Sequence, residues 1–311
     1  MLLFLGNMKI AATQVLILYV MIFVGFLCCK AKIFTEKAAR LTTDLLFYIV
    51  TVSVIINSFM SMKLSEDTAK HFIISILCNA ATFIIAIVMT LPLFKKEKDE
   101  RNPIFRFASI YGNCGYMALP LAQAILGDEG VFYCSTGVIV FNILCFTHGV
   151  KLMTKDDYKF GLKKLILNPG TLGVLIGLPL FITGLELPEI ISKPVTSFAS
   201  MNTPLAMLMF GAYLANTDLK TLFTEKKVYL TALIKLMILP LICVSLYRLC
   251  GVSGTLLTAC AITAAAPSAN NTIMLSAKYD RDTGTASKTV ALVSLISIFT
   301  MPVMIALSQS I

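Results

Sequence analysis

Two short stretches of this 311-residue sequence place neutral polar residues beside proline, and in the first stretch also beside glycine, within apolar surroundings. The first stretch, residues 112–121, contains Asn113 and Pro120. The second, residues 264–272, contains a denser set: Pro267, Ser268, Asn270, Asn271 and Thr272. Amide and hydroxyl groups donate and accept hydrogen bonds without carrying a charge. The two stretches therefore predict binding of a small solute, and neither pairs an acid with a base for catalysis.

Proline and glycine in these stretches predict interrupted helices. Proline removes a backbone donor and clashes with the preceding turn, and unwound backbone at membrane depth needs protein or a water-filled cavity to satisfy it. Two half-helices that cross there would direct the positive ends of their dipoles at an anion. For either stretch alone, an ordinary helix kink is the alternative. Because each half of the chain contains such a stretch, a binding site is favoured.

The asparagines have two interpretations each. Asn113 either donates to a substrate carboxylate or caps the backbone freed by the break. Of Asn270 and Asn271, one contacts substrate and the other caps the second half-helix, and both assignments stay open. Ser268 and Thr272 are weaker candidates of the same kind.

Lys235 is the one basic residue predicted to lie well inside a membrane span. Such a residue is by default a functional candidate, here for anion attraction or coupling, although its long stem could also snorkel towards water. No acidic residue falls in the middle of a predicted span. The expected driving forces are therefore the membrane potential and the substrate gradient.

Composition shows which elements must position these residues. The chain is 57% hydrophobic and 14% charged, whereas soluble domains carry about 25% charged residues. A spanning helix needs about 20 apolar residues, and ten such runs are present, which predicts an all-α polytopic membrane protein. The runs cover residues 10–29, 41–60, 72–94, 104–126, 131–150, 165–184, 195–215, 228–249, 255–277 and 286–308.

Most of the 26 Lys and Arg residues lie in alternate loops between these runs. That bias predicts a plasma (cytoplasmic) membrane protein with both termini outside. The same short basic segments do not form a nucleic-acid surface, so no nucleic-acid partner is expected. The nine cysteines have no metal-type spacing and only two histidines occur, so neither a metal, another cofactor nor an enzymatic centre is predicted.

Ten spans divide into two halves of five, and halves with an odd number of spans have opposite orientations. We therefore predict a 5+5 inverted repeat in which helices 4 and 9 are interrupted and cross. Residues 1–150 form the first repeat, residues 151–164 a basic cytoplasmic loop, and residues 165–311 the second repeat.

At the two interruptions the chain resembles the auxin efflux carrier family, including its bacterial members. The segment Asn113-Cys-Gly-Tyr-Met-Ala-Leu-Pro120-Leu121 is similar to that family's fourth-span element. The segment Pro267-Ser-Ala-Asn-Asn-Thr-Ile-Met-Leu-Ser-Ala-Lys278-Tyr279 is similar to its ninth-span element. The likeness extends over essentially the whole chain.

The resemblance implies a ten-helix fold shared with bile acid:sodium symporters, in which a mobile domain moves against a scaffold that is often dimeric. It also implies organic-anion substrates, with an elevator-type carrier as the first expectation and a sodium-coupled symporter of the bile-acid type as the alternative. One departure is Val52, which stands where family members commonly have a proline in the second span, whereas its counterpart Pro204 is present.

Overall fold

The computed structural model describes residues 2–95, 99–154, 169–215 and 225–311. Over these ranges the chain is helical and forms no β-strand, apart from one isolated bridge. Four helical runs there are long and apolar enough to cross a membrane, and shorter apolar helices accompany them. The protein is therefore a multi-pass membrane protein.

In the described part of the first half, the chain forms five helical runs. Their bounds are α1 Leu2–Lys30, α2 Glu36–Leu45 continuing through a π-helical turn Leu46–Val50 into Thr51–Ser61, α3 Glu66–Thr90, α4 Asn102–Ile110 and α5 Cys114–Met153. A capping box between Ser65 and Thr68 starts α3, because each side chain satisfies a backbone N–H that the first turn leaves free.

The run α5 is two helices joined by a sharp reversal at Gly127. This residue has φ 66° and ψ −155°, a conformation that side chains rarely permit. A Cβ placed on Gly130 would lie 3.2 Å from the carbonyl oxygen of Ala122, although residues eight apart in one straight helix are separated by about 12 Å. The chain thus folds back here, between the runs predicted at 104–126 and 131–150.

Over the described residues 169–215 and 225–311, the second half contains seven helical runs. They are α6 Pro169–Thr183, α7 Glu189–Ser200, α8 Asn202–Ala215, α9 Lys226–Leu249, α10 Gly254–Ala265, α11 Asn271–Lys278 and α12 Thr283–Ser310. The span predicted at 195–215 falls on α7 and α8, which Met201 separates. Most of the predicted basic loop, from residue 155 to 164, lies outside the described residues.

The substitution of Val52 for proline leaves α2 continuous. The helix passes through Val52 directly after the π-helical turn Leu46–Val50. In the second half, the helix is interrupted at Met201. Pro204 lies in the first turn of α8, where the backbone N–H that proline lacks would have no partner within the helix.

An ion network joins the loop before α4 to the start of α9. Asp99 accepts hydrogen bonds from Lys227, at 2.7 Å, and from Arg101, whose guanidinium also lies 2.8 Å from Glu225. Partial burial raises the pKa of the Asp99 carboxyl, but the bonds from Lys227 and Arg101 outweigh it and hold that pKa well below its usual range. Arg281 connects this loop to the end of α5, because its guanidinium donates to the Glu100 carbonyl at 3.3 Å and to the Met153 carbonyl at 2.9 Å.

Replacing Asp99 with asparagine should destabilise the protein by about 1 kcal/mol at pH 7, the scale of a charge-assisted bond in a partly exposed network. Because the folded pKa is depressed, this stabilisation is present above the unfolded pKa of about 3.9 and is lost as pH falls through the folded value. Thermal midpoints of wild type and Asp99→Asn in detergent should therefore differ at pH 7 and converge in acid. A gap of constant size down to pH 3 would contradict the assignment.

Candidate functional site

Both predicted interruptions are present, and they contact each other. Residues 111–113 separate α4 from α5, and residues 266–270 separate α10 from α11. Gly112 and Ser268 form an antiparallel bridge. The Asn113 N–H donates to the Pro267 carbonyl at 2.7 Å, and the Ala269 N–H donates to the Tyr111 carbonyl at 2.9 Å.

The contact satisfies backbone groups that an interruption would otherwise leave unpaired. Besides the bonds between the two extended segments, the Ser268 hydroxyl donates to the Ala108 carbonyl at 2.8 Å, near the end of α4. Unwound backbone at membrane depth is tolerated only where such partners exist. Pro267 and Ser268 thus hold the two segments together; from here on we call this contact the crossing.

Asn113 caps the helix that follows it. Its side-chain oxygen accepts a hydrogen bond from the Tyr116 N–H at 3.1 Å, and its side chain is 5% exposed. The capping interpretation is therefore confirmed. Asn113 nevertheless borders two cavities, so its amide is also placed to meet a solute.

The first cavity lies between the crossing and the helices α2 and α6, with a volume of about 410 Å³. Its polar lining comprises Thr51, Asn113, Tyr116, Asn142 and Asn271. Among the residues that the structure describes, the Thr51 hydroxyl has no hydrogen-bond partner, and the residue is only 2% exposed. A buried hydroxyl without a partner is costly.

The second cavity, of about 230 Å³, lies between the crossing and α8. Asn113 and Tyr116 border it together with Asn270, while α8 contributes Met209 and Phe210. The consecutive asparagines thus line different cavities. Asn270 occupies the N-cap position of α11 but makes no side-chain cap bond.

The remaining predicted residues border neither cavity. Pro120 is buried within the first turn of the α-helical part of α5. Thr272 is fully buried, and its hydroxyl has no hydrogen-bond partner among the described residues. Thr51, Tyr116 and the α8 side chains were not predicted as site residues, because nothing in a single sequence shows which helix faces will meet.

Lys235 lies directly behind the crossing. It is 1% exposed, and its Nζ donates to the Ala264 carbonyl at 3.1 Å. A Cβ on Gly112 would come within 2.8 Å of this Nζ. The ammonium is therefore directed into the protein and does not snorkel.

A multi-pass helical protein whose interrupted helices meet beside polar cavities has the architecture of a membrane transport protein. A family model described as "Membrane transport protein" matches residues 10–160 and 153–305. The chain belongs to this family, the auxin efflux carrier family. This membership identifies a transporter and not an enzyme.

Two relatives agree with this assignment. The chain is 24% identical to an uncharacterized transporter of Methanocaldococcus jannaschii, over 86% of this chain and 89% of that protein. It is 21% identical to a candidate malonate transporter of Rhizobium meliloti, over 93% of each chain.

Proposed function

We propose that this protein is a secondary carrier for small organic anions that bear a carboxylate. The observation that carries the proposal is the set of asparagine side chains at the crossing, which border two cavities with no acidic residue in the described lining. Amide groups donate hydrogen bonds to a carboxylate without a charge of their own that would repel it. The name of the Rhizobium meliloti relative supports the same substrate class.

The binding residues divide by what they contact. Asn113 and Asn271 face the first cavity, and Asn113 and Asn270 face the second. Pro267 and Ser268 maintain the crossing that positions them. Pro120 and Thr272 act from outside the cavities, by shaping the helices that follow each break.

Lys235 supplies positive charge behind the crossing. Its ammonium forms no ion pair among the residues that the structure describes. A cation without a carboxylate partner attracts an anion to the nearby cavity. Lys235 thereby favours substrates with a negative charge over neutral ones.

We further propose the architecture of ten spans arranged as a 5+5 inverted repeat, with residues 1–150 and 165–311 as the repeats. The interrupted helices and their neighbours move as one body past α1, α2 and α6 to α8, which form a scaffold that dimerises. Both termini lie outside the cytoplasmic membrane. Movement is driven by the membrane potential or by the substrate gradient, since one charge crossing 100 mV gains about 2.3 kcal/mol.

Ligand-induced stabilisation of the purified protein tests this function. Malonate and a panel of mono- and dicarboxylates should raise the thermal midpoint of wild type, because a ligand present at about 100 times its Kd stabilises by about 2.7 kcal/mol. Asn113→Ala and Asn271→Ala should each weaken binding by about 10- to 100-fold, as expected for a lost hydrogen bond to a charged group. At the same ligand concentration the stabilisation should then fall from about 2.7 kcal/mol to between about 0.4 and 1.4 kcal/mol, so their midpoint shifts should be half of the wild-type shift or less.

Asn57→Ala is the matched control, because Asn57 accepts a hydrogen bond from Thr196 away from both cavities. This variant should keep the full ligand response. If both cavity variants respond as wild type does, the site assignment is wrong. If the ligand raises the thermal midpoint only when sodium is present, the protein is a sodium-coupled symporter and not an uncoupled carrier.

A further inference from the structure

The crossing brings two helix C-termini to one place. Helix α4 ends at Ile110 and α10 ends at Ala265, and each C-terminus carries about half a negative charge. The Lys235 ammonium donates to the Ala264 carbonyl at 3.1 Å and lies against Gly112. One full positive charge thus faces two partial negative ends, which stabilises a cation that is 1% exposed.

Two helix N-termini leave the same crossing on its cavity side. Helix α5 starts at Cys114 and α11 at Asn271, and each N-terminus carries about half a positive charge. Thr51, whose buried hydroxyl has no hydrogen-bond partner in the described part of the chain, lines the first cavity beside them. An anion in that cavity therefore meets two positive helix ends.

Lys235 belongs to the same body as the interrupted helices. Its helix, α9, contacts α4, α10 and α12, and the hydrogen bond to Ala264 ties the ammonium to α10. The half-buried cations Arg106 and Lys288 lie within the first two turns of α4 and α12, nearer to water. Arg281, 9% exposed, precedes α12 and donates to the Met153 and Glu100 carbonyls at the same end of the body. Helix dipoles add no net charge, so among the described residues of this body Lys235, 1% exposed, is the most deeply buried formal charge.

We infer that Lys235 determines which step of the transport cycle responds to membrane voltage. This inference rests on the proposed carrier function. The empty crossing carries one positive charge as it moves, and a bound monoanion cancels that charge. The membrane potential then acts on the return of the empty carrier, while the loaded carrier moves without transferring net charge. With a dianion the loaded carrier bears one negative charge, and its movement responds to voltage.

Exchange fluxes in proteoliposomes separate these steps, because exchange at saturating anion on both sides bypasses the empty carrier. With radiolabelled lactate, a monoanion, wild-type exchange should be the same at 0 and −100 mV. In Lys235→Gln the loaded carrier bears one negative charge, which biases its position about fiftyfold per 100 mV. For a barrier midway across the field, the loaded step slows about sevenfold in one direction and speeds up by the same factor in the other, the square root of that bias. Because exchange needs both directions, lactate exchange in this variant should fall about three- to fourfold at −100 mV.

Two comparisons keep the result interpretable. Lys193→Gln removes an exposed lysine that pairs with Glu189 on α7, and its lactate exchange should remain independent of voltage. Wild type with labelled malonate, a dianion, should show the voltage dependence that lactate lacks, which tests the inference even if Lys235→Gln does not fold. Lys235→Arg keeps the charge, so whatever lactate exchange it retains should be independent of voltage.

The two failures have different signatures. If wild type exchanges neither lactate nor malonate above protein-free vesicles, the proposed function fails and the inference with it. If lactate exchange occurs and is as voltage-dependent in wild type as in Lys235→Gln, or if malonate and lactate respond equally in wild type, the role of Lys235 is overturned while the carrier function stands.

Discussion

Replacing Gly211 with valine should prevent α8 from packing against α1 and cost more than about 3 kcal/mol of stability, at or beyond the upper end for overpacked cores. The two backbones approach so closely here that a Cβ on Gly211 would lie 2.0 Å from the Ile22 carbonyl oxygen and 2.6 Å from the Phe26 nitrogen. The same contact continues at Gly25, where a Cβ would lie 2.2 Å from the Leu208 carbonyl oxygen. Membrane helices rely on such small residues for close packing.

Backbone atoms cannot change rotamer as a side chain can, so α1 and α8 must move apart to accommodate the valine. Size-exclusion profiles and thermal midpoints of the detergent-purified protein measure the result, with Gly115→Ala as control. A Cβ on Gly115 would meet nothing within 4 Å, so this control should unfold with the wild-type midpoint. If Gly211→Val also unfolds there, the close approach of α1 and α8 does not exist in the membrane.

Replacing Gly112 with valine should abolish transport, by at least about 100-fold, the factor that a displacement of 1 Å at a positioned group can produce. A Cβ at this position would lie 2.8 Å from Lys235 Nζ and 3.0 Å from the Ala266 carbonyl oxygen. Valine would therefore force the two extended segments apart and displace Asn113, whose N–H bonds to Pro267. Uptake of labelled malonate into proteoliposomes measures the loss.

Gly115→Ala again serves as the control, since Gly115 borders the first cavity without a close neighbour and should retain transport. A folded Gly112→Val protein with wild-type uptake would show that the crossing need not be closed for transport. The two glycine experiments also distinguish their causes, because Gly211 acts on the packing of α1 and α8 and Gly112 acts on the crossing.

Much of the site could be predicted because its signals are local in the chain. Proline and glycine within an apolar run weaken a helix wherever that run lies, so the breaks before Cys114 and Asn271 follow from residue types alone. The exposed face of a break needs polar groups, which accounts for Asn113, Asn270 and Asn271. The sequence could not show that Asn270 and Asn271 line different cavities. The directions of two consecutive side chains depend on the backbone path between Ala266 and α11, which only the structure gives.

Other features depend on contacts between distant segments. The hydrogen bond from Lys235 to Ala264 joins residues 29 positions apart. Thr51 becomes a cavity residue only because α2 packs near α5 and α11. These features depend on which helix surfaces pack together, and a single sequence does not show that.

By itself, the sequence determined that this is a helical membrane protein, where its two interruptions lie and which neutral polar residues stand there. These properties depend on hydrophobicity and on backbone chemistry, which each residue carries wherever it is placed. Only the tertiary structure decided that Asn113 both caps its helix and borders two cavities, that Lys235 points inward, and that Ser268 serves the crossing instead of a solute. The physical reason is that burial, hydrogen-bond partners and electrostatic surroundings belong to pairs of segments, and those pairs exist only in the folded chain.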